Sequence, residues 1–514
     1  MDAAGGDDDV MPTFTHREAR RVVIGILLCI LLAAVDQTVV VPAVPAIAAE
    51  MNAFGHLSWI VTAYLLTSTA MTPIYGKISD SVGRRAVLLP CLVLFFVASA
   101  ACALAQTLPQ LIGARALQGV GGAGLMSMAQ SAIADVVAPR ERGRYQAYMT
   151  TTWGFASIAG PILGGYVTDH LSWRWVFWIN LPITVAAFLL SDRALRMIPV
   201  RRRPVHIDWG GSLFLVAGIT AWLLLLSWGG SEYAWLSWPI LALFTGGLAL
   251  IWLLAWQERR SGDPLLPPRL FASRVFVCGI VLAFFASLGM FAGIFMLPLF
   301  FQLIHGADAE QSGQLVVPFL TISTVASYGT GVWTRRVGRT RLAILVGLVI
   351  TAVGLGLMAG ADGHTALWLT VLYSSLAGIG VGIVMPATLV SVQNAAERRD
   401  VGVATATMLF LRSMGGAFGS TMSGALVSMG FGGALATIGL EGRIDLGALR
   451  AGSDAFAGLP AGSRGVAEAG LQHGFSVAFA VAAGLMLVAV GVALVMPDVA
   501  LRAAGEPTQG GIGH

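Results

Sequence analysis

The stretch GKISDSVGRR, residues 76–85, separates two apolar segments, 57–75 and 86–106. Gly83 allows a tight turn there, and the aspartate and arginines around it can pair with each other or with a helix terminus. A second stretch, GVWTRRVGRT at residues 331–340, repeats the first glycine and the Val-Gly-Arg at the same spacing, with Arg335 in place of Asp80. Each stretch follows the second apolar segment of a set of six. The repeat therefore predicts two related halves.

The chain around these stretches is strongly apolar. Of its 514 residues, 56% are hydrophobic and only 11% are charged, and the mean hydropathy is +0.78. A soluble protein of this length would need more charge to cover its surface. Runs of about 20 apolar residues predict membrane-spanning helices. The sequence thus predicts an all-α polytopic membrane protein with fourteen spans: 22–44, 57–75, 86–106, 111–134, 147–168, 173–190, 209–228, 235–256, 275–302, 313–333, 342–361, 367–392, 401–429 and 475–496.

The longest connections flank the seventh and eighth spans, which indicates an insert between two sets of six. The predicted domains follow from this order. They are a disordered tail at 1–21, a six-helix bundle at 22–192, a linker at 193–274 with two extra spans at 209–228 and 235–256, a second six-helix bundle at 275–496 with a long external loop at 430–474, and a tail at 497–514.

Lysine and arginine are distributed unevenly between the two sides of these spans. Most of the 31 lie in connections that face one side, among them RRR at 201–203 and TRRVGRTR at 334–341. The positive-inside rule predicts that both termini are cytoplasmic, in a multi-pass protein of the plasma membrane, which in a bacterium is the inner membrane. The net charge of +4 reflects this bias and does not indicate a nucleic-acid partner. The first apolar run is too long for a signal peptide and lacks a clear cleavage site.

One carboxylate lies deep inside a predicted span. In LLAAVDQTVVVPAVP, residues 31–45, Asp36 lies about 21 Å beyond the inner end of the span at about 1.5 Å per residue. In a hydrocarbon core about 30 Å thick, that leaves about 9 Å to the outer face. A charge at that depth is costly unless it is paired, hydrated or protonated. No other Asp or Glu of the 27 lies well inside a span, so Asp36 is the main candidate for proton coupling.

A basic partner for Asp36 can be predicted from depth. Span four runs inward from about Pro109, so Arg115 also lies about 9 Å below the outer face. We therefore expect the two side chains to meet in the first bundle, although a structural salt bridge or snorkelling would also explain Arg115. Helix movement that shifts Arg115 or hydrates the site would change the proton affinity of Asp36.

Other features of the spans allow more than one interpretation. Span five places Ala156, Gly160 and Gly164 on one face beside Pro161, which permits close helix packing and a local backbone perturbation. Arg412 lies near the middle of span thirteen. It could bond carbonyl groups at a helix interface, contact an anionic substrate or couple the two bundles, and we favour a structural role. The four cysteines lie inside spans and are interpreted as packing residues.

Several motifs together give the sequence a resemblance to a known family. GKISDSVGRR is similar to the loop signature of the major facilitator superfamily, G-x-x-x-D-x-x-G-R-R. Further motifs resemble the fourteen-span drug:proton antiporter family of EmrB/QacA type: DQTVV in span one, WIVTAYLL (59–66), LIGARALQGVGGA (111–123), GFASIAGPILGG (154–165), WRWVFWINLPI (173–183), PLLPPRLF (264–271), LPLFFQ (297–302) and GVATATMLFLRSMGGAFG (402–419).

The resemblance implies roles for individual residues. It implies proton coupling at Arg115, a conformational switch loop formed by Gly76, Asp80, Gly83, Arg84 and Arg85, and an export motif formed by Gly154, Gly160, Pro161, Gly164 and Gly165. The chain departs from the family at two places. In span one, the aspartate is followed by Gln37 and later by VPAVP (41–45), where Pro42 is expected to loosen the outer end of the helix. Span ten carries no acidic residue.

These observations predict a secondary transporter that exports hydrophobic or amphipathic compounds by proton antiport, without cofactor, metal or enzymatic activity. Its expected partners are small amphipathic substrates, protons and the bilayer; we expect a monomer, with a periplasmic adaptor if the host has two membranes. A proton-coupled exporter of one endogenous lipid, siderophore or metabolite would look the same, and a channel or receptor is less favoured. An ATP-driven pump is disfavoured within this chain, because a P-loop requires a lysine followed by Ser or Thr and the only lysine, Lys77, is followed by Ile78. Candidate residues of a substrate cavity are Trp59, Tyr64, Gln118, Met126, Trp153, Phe295, Gln302, Met408 and Arg412.

Overall fold

The computed structural model describes residues 16–51, 58–137, 139–196, 208–229, 233–261, 266–307, 309–397, 400–439 and 461–501. Both predicted tails lie largely outside these residues, as does the middle of the predicted external loop. The described chain is almost entirely helical. Its helices are α1 (His16–Val39), α2 (Val44–Met51), α3 (Ser58–Val82), α4 (Arg84–Leu104), α5 (Leu108–Val136), α6 (Pro139–His170), α7 (Trp175–Trp178), α8 (Asn180–Leu195), α9 (Trp209–Trp228), α10 (Trp238–Glu258), α11 (Pro268–Ala272), α12 (Arg274–Leu303), α13 (Ala309–Val337), α14 (Arg341–Ala359), α15 (Leu367–Ala395), α16 (Val401–Thr437) and α17 (Ala461–Val495).

Eleven segments of the described chain are long and apolar enough to cross a membrane. They comprise α1, α4, α7 with α8, α9, α10 and α12 to α17. The other three predicted spans, 57–75, 111–134 and 147–168, correspond to α3, α5 and α6, except that residue 57 lies outside the described residues. Those helices are less apolar because they carry many glycine, serine and threonine residues, so apolarity alone supports eleven spans rather than fourteen.

The long helices form two groups, each around its own apolar core. In the first helix group, α1 to α8, the core includes Phe95 and Met128. In the second helix group, α12 to α17, Phe300 packs edge-on against Phe475 and Phe479. Helices α9 and α10 pack on each other between these groups in sequence. In a bilayer, close van der Waals packing of such side chains, rather than their removal from water, holds the helices of each group together.

The linker helix α9 contacts both groups. Trp228 lies edge-on to Trp59 of α3, with ring centroids 5.9 Å apart. Near the same end of α9, Thr421 Oγ1 of α16 donates a hydrogen bond to the Leu226 carbonyl at 3.1 Å. Helix α9, the first extra span, therefore packs against α3 of the first group and α16 of the second group.

The stretch 76–85 is more helical than its interpretation as a loop suggested. Helix α3 continues to Val82 and α4 starts at Arg84, so the chain turns at Gly83 alone, which has φ of 93°. A side chain with a Cβ atom rarely adopts that conformation. Gly338, with φ of 70°, makes the equivalent turn between α13 and α14. We call the end of the molecule where these two turns lie the switch-loop end.

The opposite end of the molecule differs from the sequence prediction in two places. Helix α1 stops at Val39, and a 3-10 turn (Val41–Ala43) around Pro42 leads into α2, because proline has no backbone N–H for a continuing helix. Glu50 anchors α2 by accepting hydrogen bonds from Trp173 Nε1 and Arg174 Nη1, both at 2.6 Å. The bond from Arg174 lowers the pKa of Glu50.

The helices flanking the predicted external loop also exceed their predicted bounds. Helix α16 extends to Thr437 and α17 begins at Ala461, whereas spans ending at 429 and starting at 475 were predicted. The two extensions pack closely where Gly430 meets Gly474. The loop of 430–474 is therefore helical at both ends, and 440–460 lie outside the described residues.

Candidate functional site

Asp36 and Arg115 form an ion pair inside the first helix group. Arg115 Nη1 of α5 lies 2.8 Å from Asp36 Oδ2 of α1, and the two side chains are 1% and 0% exposed. The Arg115 guanidinium lies over the Tyr64 ring, 4.5 Å from its centroid, and its Nε donates to the Ile60 carbonyl. Arg115 is thus held by two residues of α3 and by the Asp36 carboxylate of α1.

Two neutral side chains complete the environment of the carboxylate. Asp36 Oδ1 accepts hydrogen bonds from Gln118 Nε2 at 2.8 Å and from Asn180 Nδ2 at 2.7 Å. Gln118 Oε1 in turn accepts from Arg115 Nη1 at 2.6 Å. Arg115, Gln118 and Asn180 thus all donate hydrogen bonds to the carboxylate oxygens of Asp36. We call these four residues, Asp36, Arg115, Gln118 and Asn180, the carboxylate network.

One atom of the carboxylate network is unsatisfied. Asn180 Oδ1 is enclosed and has no hydrogen-bond partner among the residues that the structure describes. An enclosed amide oxygen without a donor is costly. Rotation of the Asn180 amide would turn this acceptor oxygen towards Asp36.

The small face of α6 packs directly on α1, one turn beyond Asp36. Thr38 Oγ1 donates to the Ala156 carbonyl at 2.9 Å. A Cβ atom at Gly160 would overlap Thr38, and one at Gly164 would overlap the Val39 carbonyl oxygen. The spacing of small residues recognised in the sequence thus brings the α6 backbone onto the helix that carries the carboxylate.

We expect Gly164→Ala to reduce transport and thermal stability. Its new methyl group would collide with backbone rather than with a flexible side chain, and such overpacking costs about 1–3 kcal/mol. Gly165→Ala is the matched control, because a Cβ atom there meets nothing within 4 Å. Thermal unfolding in detergent and transport in vesicles would measure both effects; equal behaviour of the two variants would contradict the close packing of α6 on α1.

A second polar cluster joins the two helix groups at the switch-loop end. Asp80 Oδ1 accepts a hydrogen bond from Gly402 N at 3.0 Å, and Oδ2 accepts from Val403 N at 2.9 Å. These amides belong to the first turn of α16, where backbone N–H groups have no partner within the helix. Arg84 pairs with Asp80 and with Asp135. The Asp80 carboxylate therefore caps a helix of the opposite group.

The backbone approach at this cluster requires glycine. A Cβ atom at Gly402 would overlap the Asp80 carboxylate, and one at Gly76 would lie 2.6 Å from Ala406 Cβ. Two further contacts reinforce the same end. Arg142 Nη1 donates to Gln393 of the second group at 3.3 Å, and Arg269 makes two bonds of 2.8 Å to Asp400, which precedes α16. The contacts of Asp80 and Arg142 thus join the two helix groups at the switch-loop end.

The related stretch in the second group makes different contacts. Arg335, which stands in the place of Asp80, is exposed. Arg339 pairs with Asp498 at 2.8 Å, and Leu501 N donates to the Gly338 carbonyl at 2.7 Å. The repeat in sequence therefore does not produce a repeated contact, because the acidic residue that caps a helix is present in one copy only.

The comparisons with known proteins agree with this fold. Residues 26–420 match the family described as Major Facilitator Superfamily. The chain belongs to the major facilitator superfamily. An uncharacterized MFS-type transporter of Mycobacterium tuberculosis is 39% identical over 397 residues, which are 77% of this chain and 58% of that protein. This chain thus spans 58% of the length of that relative.

Two further matches are a relative in sequence and a relative in fold. The multidrug transporter protein MdtP of Bacillus subtilis is 36% identical over 406 residues, 79% of this chain and 74% of its own. The structure of the human organic anion transporter MFSD10 is similar, with a TM-score of 0.62 over 92% of this chain and 99% of that chain. At 17% sequence identity the second likeness shows the fold alone.

In this major facilitator fold, the residues predicted for a substrate cavity lie in several places. Tyr64 and Gln118 belong to the surroundings of Arg115. Met408 is fully buried in apolar packing, and Gln302 Nε2 donates to Ser312 Oγ at 2.7 Å. The others are half-buried or exposed. Trp59 packs edge-on against Trp228 of the linker, Met126 and Trp153 pack at the edge of the first core, Phe295 is 50% exposed, and Arg412 is half-buried.

Sequence reasoning missed Asn180 as a site residue. It is the first residue of α8, within the motif WRWVFWINLPI that was recognised only as a family match. Its position as a polar residue at the start of an apolar helix was the available signal. Within the described ranges, no group of three or more His, Cys, Asp and Glu side chains is placed to hold a metal ion.

Proposed function

We propose that this protein exports amphipathic compounds by proton antiport, as a member of the fourteen-span drug:proton antiporter family. The observation that carries the proposal is the fully buried Asp36 carboxylate, held by Arg115, Gln118 and Asn180. A titratable group at membrane depth is a functional candidate by default, because burial of a charge is costly. The name of the Bacillus subtilis relative, a multidrug transporter, supports the same activity.

The proposed cycle uses the two polar clusters in turn. With the switch-loop end closed, a proton from the outside neutralises Asp36, and the carboxyl group then binds Arg115 less strongly. This loosens α1 from α5 and α8. The Asp80 cap on α16 releases, the switch-loop end opens, and Asp36 loses its proton as substrate binds. Each ligand shifts the equilibrium by its different affinity for the two states.

The proposal includes an arrangement in the membrane. Fourteen segments cross the plasma membrane, with six at 22–192, two in the linker at 193–274, and six at 275–496. The switch-loop end is cytoplasmic, as are both termini, in accordance with the excess of arginine in those connections. The carrier acts as a monomer, with an adaptor only in a host with two membranes.

Export in inverted membrane vesicles tests the proposed function. A panel of three pyrene compounds carries a sulfonate, an alcohol or a trimethylammonium group on the same alkyl chain; we call it the pyrene panel. With an acidic lumen, at least one compound is expected to accumulate and to dissipate the pH gradient. Nigericin, which collapses the gradient, should prevent accumulation. Single-channel currents, or flux independent of the gradient, would contradict proton antiport.

We expect Asn180→Leu to reduce pH-driven accumulation by about tenfold or more, because a hydrogen bond to a charged group contributes about 1.5–3 kcal/mol. Leucine removes both the donor to ionised Asp36 and the acceptor for protonated Asp36. Substrate counterflow, which involves no net proton movement, should decline less. Thr184→Val is the control, since the Thr184 hydroxyl donates only to the Asn180 carbonyl of its own helix. Equal loss of both transport modes would contradict a role for Asn180 in proton coupling.

A further inference from the structure

Arg412 is a second cation at membrane depth, and the carboxylate network does not neutralise it. It lies about 16 Å beyond the start of α16 at about 1.5 Å per residue, near the middle of a hydrocarbon core about 30 Å thick. Among the described residues, its guanidinium has no hydrogen bond, ion pair or ring contact. Its nitrogens are not among the enclosed atoms that lack a partner, so they keep some accessible surface.

The face of α16 that carries Arg412 points into the protein. Met408, Gly416 and Gly419, which share this face at helical spacing, are all buried. Gly416 approaches the ring of Phe291 on α12, and Phe291 stacks on Phe295 with centroids 6.1 Å apart. Accessible nitrogens on a protein-facing side of α16 indicate that Arg412 borders an internal opening near Phe291 rather than the lipid.

The charges inside the membrane region do not balance. Asp36 and Arg115 cancel each other within their ion pair, and residues 313–333 of α13 contain no acidic side chain. Arg412 leaves an excess positive charge in this interior. An unpaired cation at such depth costs several kcal/mol unless water or an anion meets it.

We propose that Arg412 binds the anionic group of the exported substrate, whose apolar body packs on Phe291 and Phe295. The substrate class is then amphipathic organic anions that carry a sulfonate, carboxylate or phosphate group, and not lipophilic cations. A planar guanidinium suits such groups because it can donate two parallel hydrogen bonds. The inference rests on the proposed export function and adds its substrate class.

Binding of the pyrene panel to the purified carrier in detergent, measured by fluorescence anisotropy, tests this inference. The wild-type protein should bind the sulfonate more tightly than the alcohol and the trimethylammonium compound. Arg412→Gln is expected to weaken sulfonate binding by about 10- to 100-fold, the range of a hydrogen bond to a charged group, and to leave alcohol binding unchanged. Arg412→Lys should restore part of the affinity, and Arg339→Gln, far from the opening and paired with Asp498, should have no effect.

Two results would contradict an anion site at Arg412. A wild-type preference for the trimethylammonium compound, or unchanged sulfonate affinity in Arg412→Gln, would overturn the inference. The wild-type preference and Arg412→Lys keep the test valid if Arg412→Gln does not fold. Vesicle transport separates the two proposals. If the alcohol or the cation is exported with the pH gradient but the sulfonate does not bind, only the anion site is refuted. If the sulfonate binds at Arg412 but no compound is exported with the pH gradient, only proton antiport is refuted.

Discussion

Replacing Asp36 with asparagine is expected to abolish pH-driven accumulation while substrate counterflow at saturating concentration persists. Asparagine is close in size to aspartate but cannot release or take up a proton. Counterflow needs only the substrate-loaded carrier to reorient, so it does not depend on that proton. Accumulation and counterflow of the best transported member of the pyrene panel would be measured in inverted vesicles.

A second variant separates coupling from folding. Asp36→Asn leaves Arg115 buried without its counter-charge, and removal of one partner of a buried pair costs about 3–5 kcal/mol. The double variant Asp36→Asn/Arg115→Gln removes both charges and should recover much of the thermal stability. pH-driven accumulation should remain absent in it. Accumulation that returns together with stability would show that Asp36 serves the fold rather than the proton.

Asp80→Asn is expected to open the switch-loop end and to slow export by about tenfold or more, because a hydrogen bond to a charged group contributes about 1.5–3 kcal/mol. The neutral amide cannot accept from both Gly402 and Val403, and it no longer pairs with Arg84. Spin labels at Ala86 and Arg336, both exposed at this end, report the opening by double electron–electron resonance. We expect the distance distribution to shift to longer values.

The matched control for Asp80 lies in the same stretch of sequence. Arg85 pairs with Asp192 within the first helix group and has exposed surface. Arg85→Gln therefore removes an ion pair of the same stretch without touching α16. It should leave the label distances unchanged. Identical distributions for Asp80→Asn and the wild-type protein would contradict the helix-capping role of Asp80.

Some parts of the site follow from the sequence because they depend on position along a single helix. The depths of Asp36 and Arg115 come from the rise per residue, and the structure places the two side chains in contact. The small face of α6 likewise follows from four-residue spacing, although the sequence does not identify α1 as its neighbour. Depth and side-chain spacing can be predicted in this way because the rise and turn per residue are constant along a regular helix.

Other parts depend on how distant helices meet, which one sequence does not specify. Asp80 contacts residues more than 300 positions away. Gln118 is a candidate residue of a substrate cavity in the sequence, and its hydrogen bond to Asp36 could not be predicted there. The extensions of α16 and α17 were missed for a different reason. Their glycine and alanine give a weak hydropathy signal, although they form regular helix.

Proton release on substrate binding tests the central claim most directly, namely that Asp36 exchanges its proton for substrate. Purified carrier in weakly buffered detergent solution would receive a saturating amount of the best bound pyrene compound, whose charge does not change with pH. A pH indicator would record the released protons across a range of starting pH values. The account predicts that the wild-type protein releases protons on binding and that Asp36→Asn binds the compound without releasing any. Equal proton release by both proteins would contradict it.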